Sequence, residues 1–312
     1  PGEAGKANGA ALAKARLDIY PLALLPVLAL LALPLVANFP TWATLTIAGL
    51  AMGMMIFLMA SGLTLVFGLM DVLNFGHGAF ISIGAFAGAA VLLALAAWSA
   101  AADLLFNLAA IAAAIAAAML VTGALGYAFE RVLIRPVYGQ HLKQILITMG
   151  GLIVAEQMLL VLFGPEQLAL PRPATLRGAF LLGNVPIEKY RIVAVALGLV
   201  VFIAMLLVLN RTRLGLLIRA GVENSEMVEA LGYRIRRLFV WVFVAGSALA
   251  GLGGVMWALY REALTPTMGL DVTVLVFIVV IIGGLGSVGG CFIGAMLVAL
   301  TANYVGFLAP KV

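Results

Sequence analysis

Apolar residues fill this chain in blocks of helical-crossing length, and the charged residues gather between the blocks. A helix needs roughly 20 apolar residues to cross a bilayer, with about 17 to 25 tolerated. Blocks that meet this requirement run over 19–37, 42–70, 77–98, 102–129, 144–163, 190–210, 238–260, 271–285 and 291–309. In hydrocarbon every backbone N–H and C=O must be paired internally, which leaves helices or closed barrels. Barrel strands alternate polar and apolar residues over short segments. Leu108–Leu125 and Val193–Leu209 are apolar on every face instead. The pattern therefore predicts an all-α, polytopic transmembrane bundle of about eight or nine spans. The last two blocks are so close together that one of them reads as a half-span.

Two blocks are interrupted by glycine. The first interruption runs from Gly62 through Gly68, Asp71, Asn74, Gly76 and His77 to Gly78. The second is Ile282–Gly290, with Gly283, Gly284 and Gly286. Unwound backbone at membrane depth is tolerated only where protein or a water-lined cavity covers it. Gly-interrupted segments in corresponding halves point to an internal repeat and a transport pathway, although glycines also serve simple close packing of helices. Gly76, Gly78, Gly283, Gly284 and Gly286 are the candidate helix breaks.

Composition strengthens the membrane reading, with 65% hydrophobic and only 10% charged residues. The net charge of +5 follows the positive-inside rule and is no sign of nucleic-acid binding. Lys6, Lys14, Arg16, Arg131, Arg135 and Lys143 fall on one side if the spans alternate. Arg211, Arg213, Arg219, Arg234, Arg236 and Arg237 fall there too, making 12 of the 18 basic residues. That side is predicted to be cytoplasmic, with residues 1–18 as a cytoplasmic tail. The opposite side receives the proline-rich turns of 164–189. Lys14 and Arg16 before an apolar run also resemble a secretory signal. Pro21, Pro26 and Pro34, with no clear small-residue cleavage site, favour a retained first helix.

Few polar groups lie inside the blocks. Asp71, Asn74 and His77 recur at three-residue spacing, so an unbroken helix would place them on neighbouring faces. They suit a proton relay, part of a metal site, a substrate contact or the capping of a broken helix. Glu156 is the clearest ionisable group inside a span, and such groups usually face a bundle interior or cavity. Asn74, His77 and Glu156 are the candidate pathway residues. Cys291 is the single cysteine, which excludes an internal disulfide and reads as a buried thiol. No Cys/His cluster has metal-ligand spacing, and no set of groups has the make-up of a catalytic site. Ion-driven transport would rest on Glu156 alone.

The loop 211–237 is the richest polar segment. Asn224 or Ser225 can cap a short helix, Glu226 and Glu229 suit its first turn, and Gly232 can end it. Met227, Val228 and Leu231 would form an exposed apolar stripe among charges, suited to a groove on a soluble partner. Flanking arginines also suit a helix lying on lipid, while Glu223, Glu226 and Glu229 argue for a protein.

The run Gly62–Phe86, the loop Arg219–Gly232 and the run Gly283–Gly294 together resemble the permease subunits of branched-chain amino acid ABC importers. The Asn74–Gly78 stretch is similar to the H type of the two paralogous permeases. The resemblance covers most of Trp42–Leu300, and residues 19–312 would form one permease domain. It implies a bacterial inner-membrane heterodimer with the second permease, two cytoplasmic ATPases and a periplasmic binding protein. Arg219, Glu223, Glu226, Met227, Glu229 and Gly232 would then belong to the ATPase coupling segment, although Glu229–Gly232 is a degenerate form of the importer signature. The chain has no phosphate-binding Gly-x-x-x-x-Gly-Lys-Ser/Thr loop, so it is expected to be no enzyme and to hold no cofactor, with ATP bound by the partners. The expected solutes are branched-chain amino acids or, as in other relatives of the family, urea, short amides or aromatic carboxylates.

Overall fold

The computed structural model describes residues 19–223 and 225–309. The N-terminal tail expected at 1–18 lies outside the described residues. As the apolar blocks predict, the protein is an all-α bundle. Among the described residues, seven helices are long and apolar enough to cross a membrane, and two shorter apolar helices, Ala23–Val36 and Met268–Gly283, accompany them.

In chain order the helices are α1 (Ile19–Val36), α2 (Phe39–Met70), α3 (His77–Ala94), α4 (Ala96–Ala100), α5 (Leu104–Phe129) and α6 (His141–Phe163). They continue with α7 (Lys189–Arg211), α8 (Arg213–Glu223), α9 (Ser225–Ala230), α10 (Ile235–Arg261), α11 (Met268–Gly283) and α12 (Val288–Leu308). The block at 77–98 is split, because helix α3 stops at Ala94 and α4 follows as a separate turn. The span that begins with α5 continues through a π-turn, Glu130–Ile134, and a 3-10 turn ending at Val137. Pro136 has no N–H to return to the preceding turn, so the regular helix cannot run through it.

Helices α2, α3 and α10 form the centre. Their apolar windows are 78%, 67% and 61% buried, against 17% for α6 and α7 at the periphery. Lipid gives no hydrophobic drive for helix association, so close packing of small residues holds such a centre together. Gly62 faces Gly246 and Gly84 faces Gly251, each with no room for a methyl group. Gly246 also meets Val66 while Gly253 meets Met59, so α2 and α10 run antiparallel. Helix α12 lies antiparallel on the other side of α2, with Leu300 at Gly49 and Met296 at Gly53. The Phe202 and Phe292 rings stack at 4.2 Å and both pack edge-on against Phe57.

An internal repeat is visible in the breaks. Helix α2 ends on Asp71 in the left-handed region (φ 51), and α10 ends on Glu262 in the same region (φ 53). Each C-cap N–H closes on a carbonyl four residues back, at Phe67 and Ala258. After each cap the chain turns back into the bundle before the next helix starts, at His77 and at Met268. His77 lies beside Met59, about three helical turns back from the end of α2. Gly78 and Gly269 then touch each other; Thr273 packs on Gly78, and Ser82 packs on Gly269. The pairs Asp71/Glu262, His77/Met268, Gly78/Gly269 and Ser82/Thr273 share one sequence offset. Because α2 and α10 are antiparallel, the two breaks enter from opposite ends of the bundle.

The partner of the first break is therefore 262–267, built on Pro266 with no glycine, and not the glycine run 283–290. That run joins α11 to α12. Gly284 (φ 86) and Gly286 (φ 83) hold backbone conformations that side chains disfavour, and Gly286 packs on Gly68 near the end of α2. Ser287 Oγ accepts from the Gly290 N–H at 3.1 Å and caps α12.

At the end opposite the arginine-rich loops, the segment expected to be turns forms a small ordered cap. Strands β2 (Ala179–Leu182) and β3 (Val185–Glu188) make a hairpin, and β1 (Leu168–Ala169) pairs with β4 (Ala263–Leu264). The buried Arg172 staples this cap to the bundle. Its Nε donates to the Leu259 carbonyl at 3.0 Å, its Nη2 to the Tyr260 carbonyl at 2.8 Å, and its Nη1 to Glu188 at 2.9 Å. Glu188 also accepts from Arg191 at 2.6 Å. Asn107 closes another joint: its Oδ1 accepts from the Thr175 N–H and hydroxyl, each at 2.8 Å.

Candidate functional site

The segment 71–76 is the unwound backbone that the glycines suggested, and past the exposed Asp71 it is covered by protein, with Val72, Asn74 and Gly76 buried. The Phe75 N–H donates to Thr148 Oγ1 of α6 at 3.1 Å, and Thr148 donates in turn to the Gln144 carbonyl at 2.7 Å. The Phe75 ring stacks on Phe277 of α11 at 4.5 Å between centroids. Polar backbone inside the bundle is thus paired with a side chain from a neighbouring helix, as burial requires.

Asn74 and His77 are brought together at this break, both fully buried. His77 Nε2 lies 2.8 Å from the Met59 carbonyl. A carbonyl only accepts, so that nitrogen carries the proton and the histidine pins the start of α3 to the middle of α2. Asn74 Oδ1 is buried without a hydrogen-bond partner. Asp71 does not join them. The break turns it out to the surface, 3.8 Å from His141 Nε2 of α6. The three-residue spacing therefore places no triad on one helix, because the chain is not helical there.

Glu156 stands apart from Asn74 and His77. It is half-buried on the peripheral helix α6 and makes no hydrogen bond or ion pair among the described residues. Among the described residues, the acid that is wholly buried is Glu130, in the π-turn after α5. Its Oε1 accepts from the Tyr138 hydroxyl, and its Oε2 has no partner. In the sequence Glu130 stands beside Arg131 at the end of an apolar block; in the structure it opens the π-turn Glu130–Ile134, which precedes Pro136. Thr148, Ser82 and Thr273 carried no sequence signal either, since single hydroxyls in apolar helices are common.

Of the helix breaks, Gly76 directly precedes α3 and Gly78 sits in its first turn; Gly283 closes α11, with Gly284 and Gly286 in the link to α12. In the loop 211–237 the chain forms two short helices, α8 and α9, where one was expected. Helix α9 is closed by Gly232 (φ 88), whose N–H donates to the Glu229 carbonyl at 2.9 Å. Met227 and Leu231 are exposed, at 60% and 70%, and Glu229 is exposed beside them. Val228 departs from the expected stripe: it is buried, because its position on the short helix faces the bundle. The side chains of Arg219, Glu223 and Glu226 lie outside what the structure describes.

Residues 45–311 match the family described as the permease component of the branched-chain amino acid transport system. The chain is 29% identical over 262 residues to the high-affinity branched-chain amino acid transport system permease protein BraD of Pseudomonas aeruginosa, covering 82% of this chain and 83% of that one. It is 27% identical over 267 residues to the correspondingly described LivH of Salmonella typhimurium, covering 82% and 85%. A probable branched-chain amino acid transport permease protein, LivM of Methanocaldococcus jannaschii, is 32% identical over 105 residues, 31% of this chain and 30% of that one. No solved structure matches it. With seven helices of membrane-crossing length and a family match over most of its residues, this chain is a multi-pass membrane protein and belongs to the family of branched-chain amino acid transport permeases.

Proposed function

We propose that this chain is the H-type half of the translocation unit of an ATP-driven importer, paired with a paralogous permease of the LivM kind. Two ATPases would dock on the arginine-rich cytoplasmic end, and a binding protein would deliver solute to the capped periplasmic end, across a bacterial inner membrane. The observation that carries this reading is the combination of a family match over 45–311 with helix α9, which presents Met227 and Leu231 outward among charged residues. Short apolar helices of this kind seat in grooves of soluble partners. The names of BraD and LivH favour branched-chain amino acids as solute over the urea, short amides or aromatic carboxylates that the wider family carries.

Asn74 and His77 would sit beside the pathway at the first break, with Glu156 on the face turned to the second permease. Gly76 and Gly78 would let the first break change shape, and Gly283, Gly284 and Gly286 the link between α11 and α12, while ATPase closure pushes Met227, Glu229, Gly232 and their neighbours Arg219, Glu223 and Glu226. Alternating access then requires that the ATPases bind the inward- and outward-open states with different affinity. The test is reconstitution in liposomes of this chain with the second permease, the ATPases and the binding protein. Leucine uptake that requires ATP and all four components is expected. Uptake by this chain alone, driven by a proton or sodium gradient, would overturn the proposal.

A further inference from the structure

At the arginine-rich end, a pocket of about 740 Å³ opens where the end of the α5 span meets the start of α10. Five arginines line it, Arg131, Arg135, Arg234, Arg236 and Arg237. Among the described residues none of the five forms an ion pair with a carboxylate. Arg131 instead lies 5.4 Å over the Tyr127 ring. Cations gathered around one concavity create a field that draws in an anion.

Beneath the arginines lies an acceptor in need of a donor. Glu130 lines the pocket, is fully buried, and leaves Oε2 without a hydrogen bond. Such an orphaned carboxylate oxygen calls for a missing partner. Tyr138 already serves the other oxygen; burial and that hydrogen bond push its phenol well above the usual value, so it remains a neutral donor. A fitting ligand therefore carries anionic oxygens for the arginines and a hydroxyl for Glu130. Trp241 and Tyr127 line the pocket too and are exposed at 69% and 44%. Both sit near the ends of membrane spans, where exposed aromatics mark the headgroup layer. Basic pockets between membrane helices at this level take lipid phosphates.

We propose that this pocket binds the headgroup of one anionic glycerol phospholipid, such as phosphatidylglycerol or cardiolipin. The phosphodiester accepts hydrogen bonds from the arginines, and a glycerol hydroxyl donates to Glu130 Oε2. Glu229 and Gly232 border the same pocket, so the bound lipid braces the end of α9 against the end of the α5 span. The inference rests on the chain spanning a membrane and is independent of the ATPase reading.

The test is native mass spectrometry of the purified complex after detergent removal of loosely bound lipid. One phosphatidylglycerol or cardiolipin per copy is expected, retained in preference to phosphatidic acid, which lacks the glycerol hydroxyl. Arg135→Gln with Arg237→Gln should reduce retention by about tenfold, whereas Lys143→Gln, a cation at the same end outside the pocket, should leave it unchanged. Equal retention in all three proteins would overturn the proposal, since the lipid would then be annular. So would displacement of the lipid by millimolar inorganic phosphate, which would mark a soluble-anion site. Loss of the ATPase subunits from the double variant with lipid retained would also overturn it, in favour of a protein-docking pocket. The unsubstituted complex gives a second measurement: replacing phosphatidylglycerol by phosphatidylcholine in nanodiscs should lower its thermal midpoint by several degrees, and no change would count against the site.

Discussion

Arg172 has acceptors on every side: two main-chain carbonyls at the end of α10, the carboxylate of Glu188, and Glu262 at 3.3 Å. Arg172→Ala removes all of these contacts at once. Hydrogen bonds to a charged group contribute about 1.5–3 kcal/mol, and the partly exposed Glu188 and Glu262 keep the loss to about 2 kcal/mol. Thermal unfolding of the purified chain should show the drop, and an unchanged midpoint would mean the cap is held by other contacts. Asn74 is a different case, because its side-chain oxygen has no partner to lose. Asn74→Leu is expected to leave folding and assembly intact while lowering uptake by about tenfold, the effect of about 1.4 kcal/mol on a barrier. A fall in stability with uptake unchanged would show that Asn74 serves packing only. Asn74 and His77 were both legible in the sequence as polar residues at a glycine break. Their roles were not, because the Met59 carbonyl that fixes His77 lies in another helix.

The elements divide into those whose ends the sequence marks and those whose ends are set by tertiary contacts. The break after α2 carries Asn74, Gly76 and Gly78 and is readable directly. Its counterpart at 262–267 reads as an ordinary loop between spans, and the more visible glycine run 283–290 is the link from α11 to α12. Only the contact of Gly78 with Gly269 identifies the true pair. Helix α9 was expected from its caps, but with six residues (Ser225–Ala230) it is too short to show three apolar positions on one outer face. Leu231, 70% exposed, is the position to test. Leu231→Asp should leave the membrane part folded and still paired with the second permease. ATPase subunits should be lost on purification, or their activity should no longer respond to the binding protein; normal coupling would exclude α9 as the contact.

Across the whole molecule, burial is lopsided. Helices α2, α3 and α10 are sheathed, whereas α6 and α7 show most of their surface. An apolar face toward lipid needs no explanation, but Glu156 on α6 does. An acid at the centre of a span costs about 2.5–3.5 kcal/mol against hydrocarbon on insertion scales. Covered by the second permease or by a hydrated pathway, it costs less. Glu156→Leu should therefore raise the yield and thermal midpoint of the chain expressed alone, while lowering uptake by the assembled importer. If both properties are unchanged, Glu156 faces neither a partner nor a pathway. The helical, membrane-crossing kind of element was legible from the apolar blocks alone. The expected eight or nine spans resolve, among the described residues, into seven helices of membrane-crossing length and two shorter ones. Which of them form the centre was not legible, because every block is apolar and only the spacing of small residues across three helices decides it.

The contact between Gly78 and Gly269 has a consequence for how the protein is made. The shelter of residues 71–76 is supplied late: Phe75 waits for Thr148, 73 positions on, and Ser82 waits for Gly269, 187 positions on. A ribosome releases the first half of the chain while its re-entrant turn still lacks a lid. The nascent protein must keep that turn near the interface until α10 and α11 arrive, so correct insertion is decided near the end of synthesis.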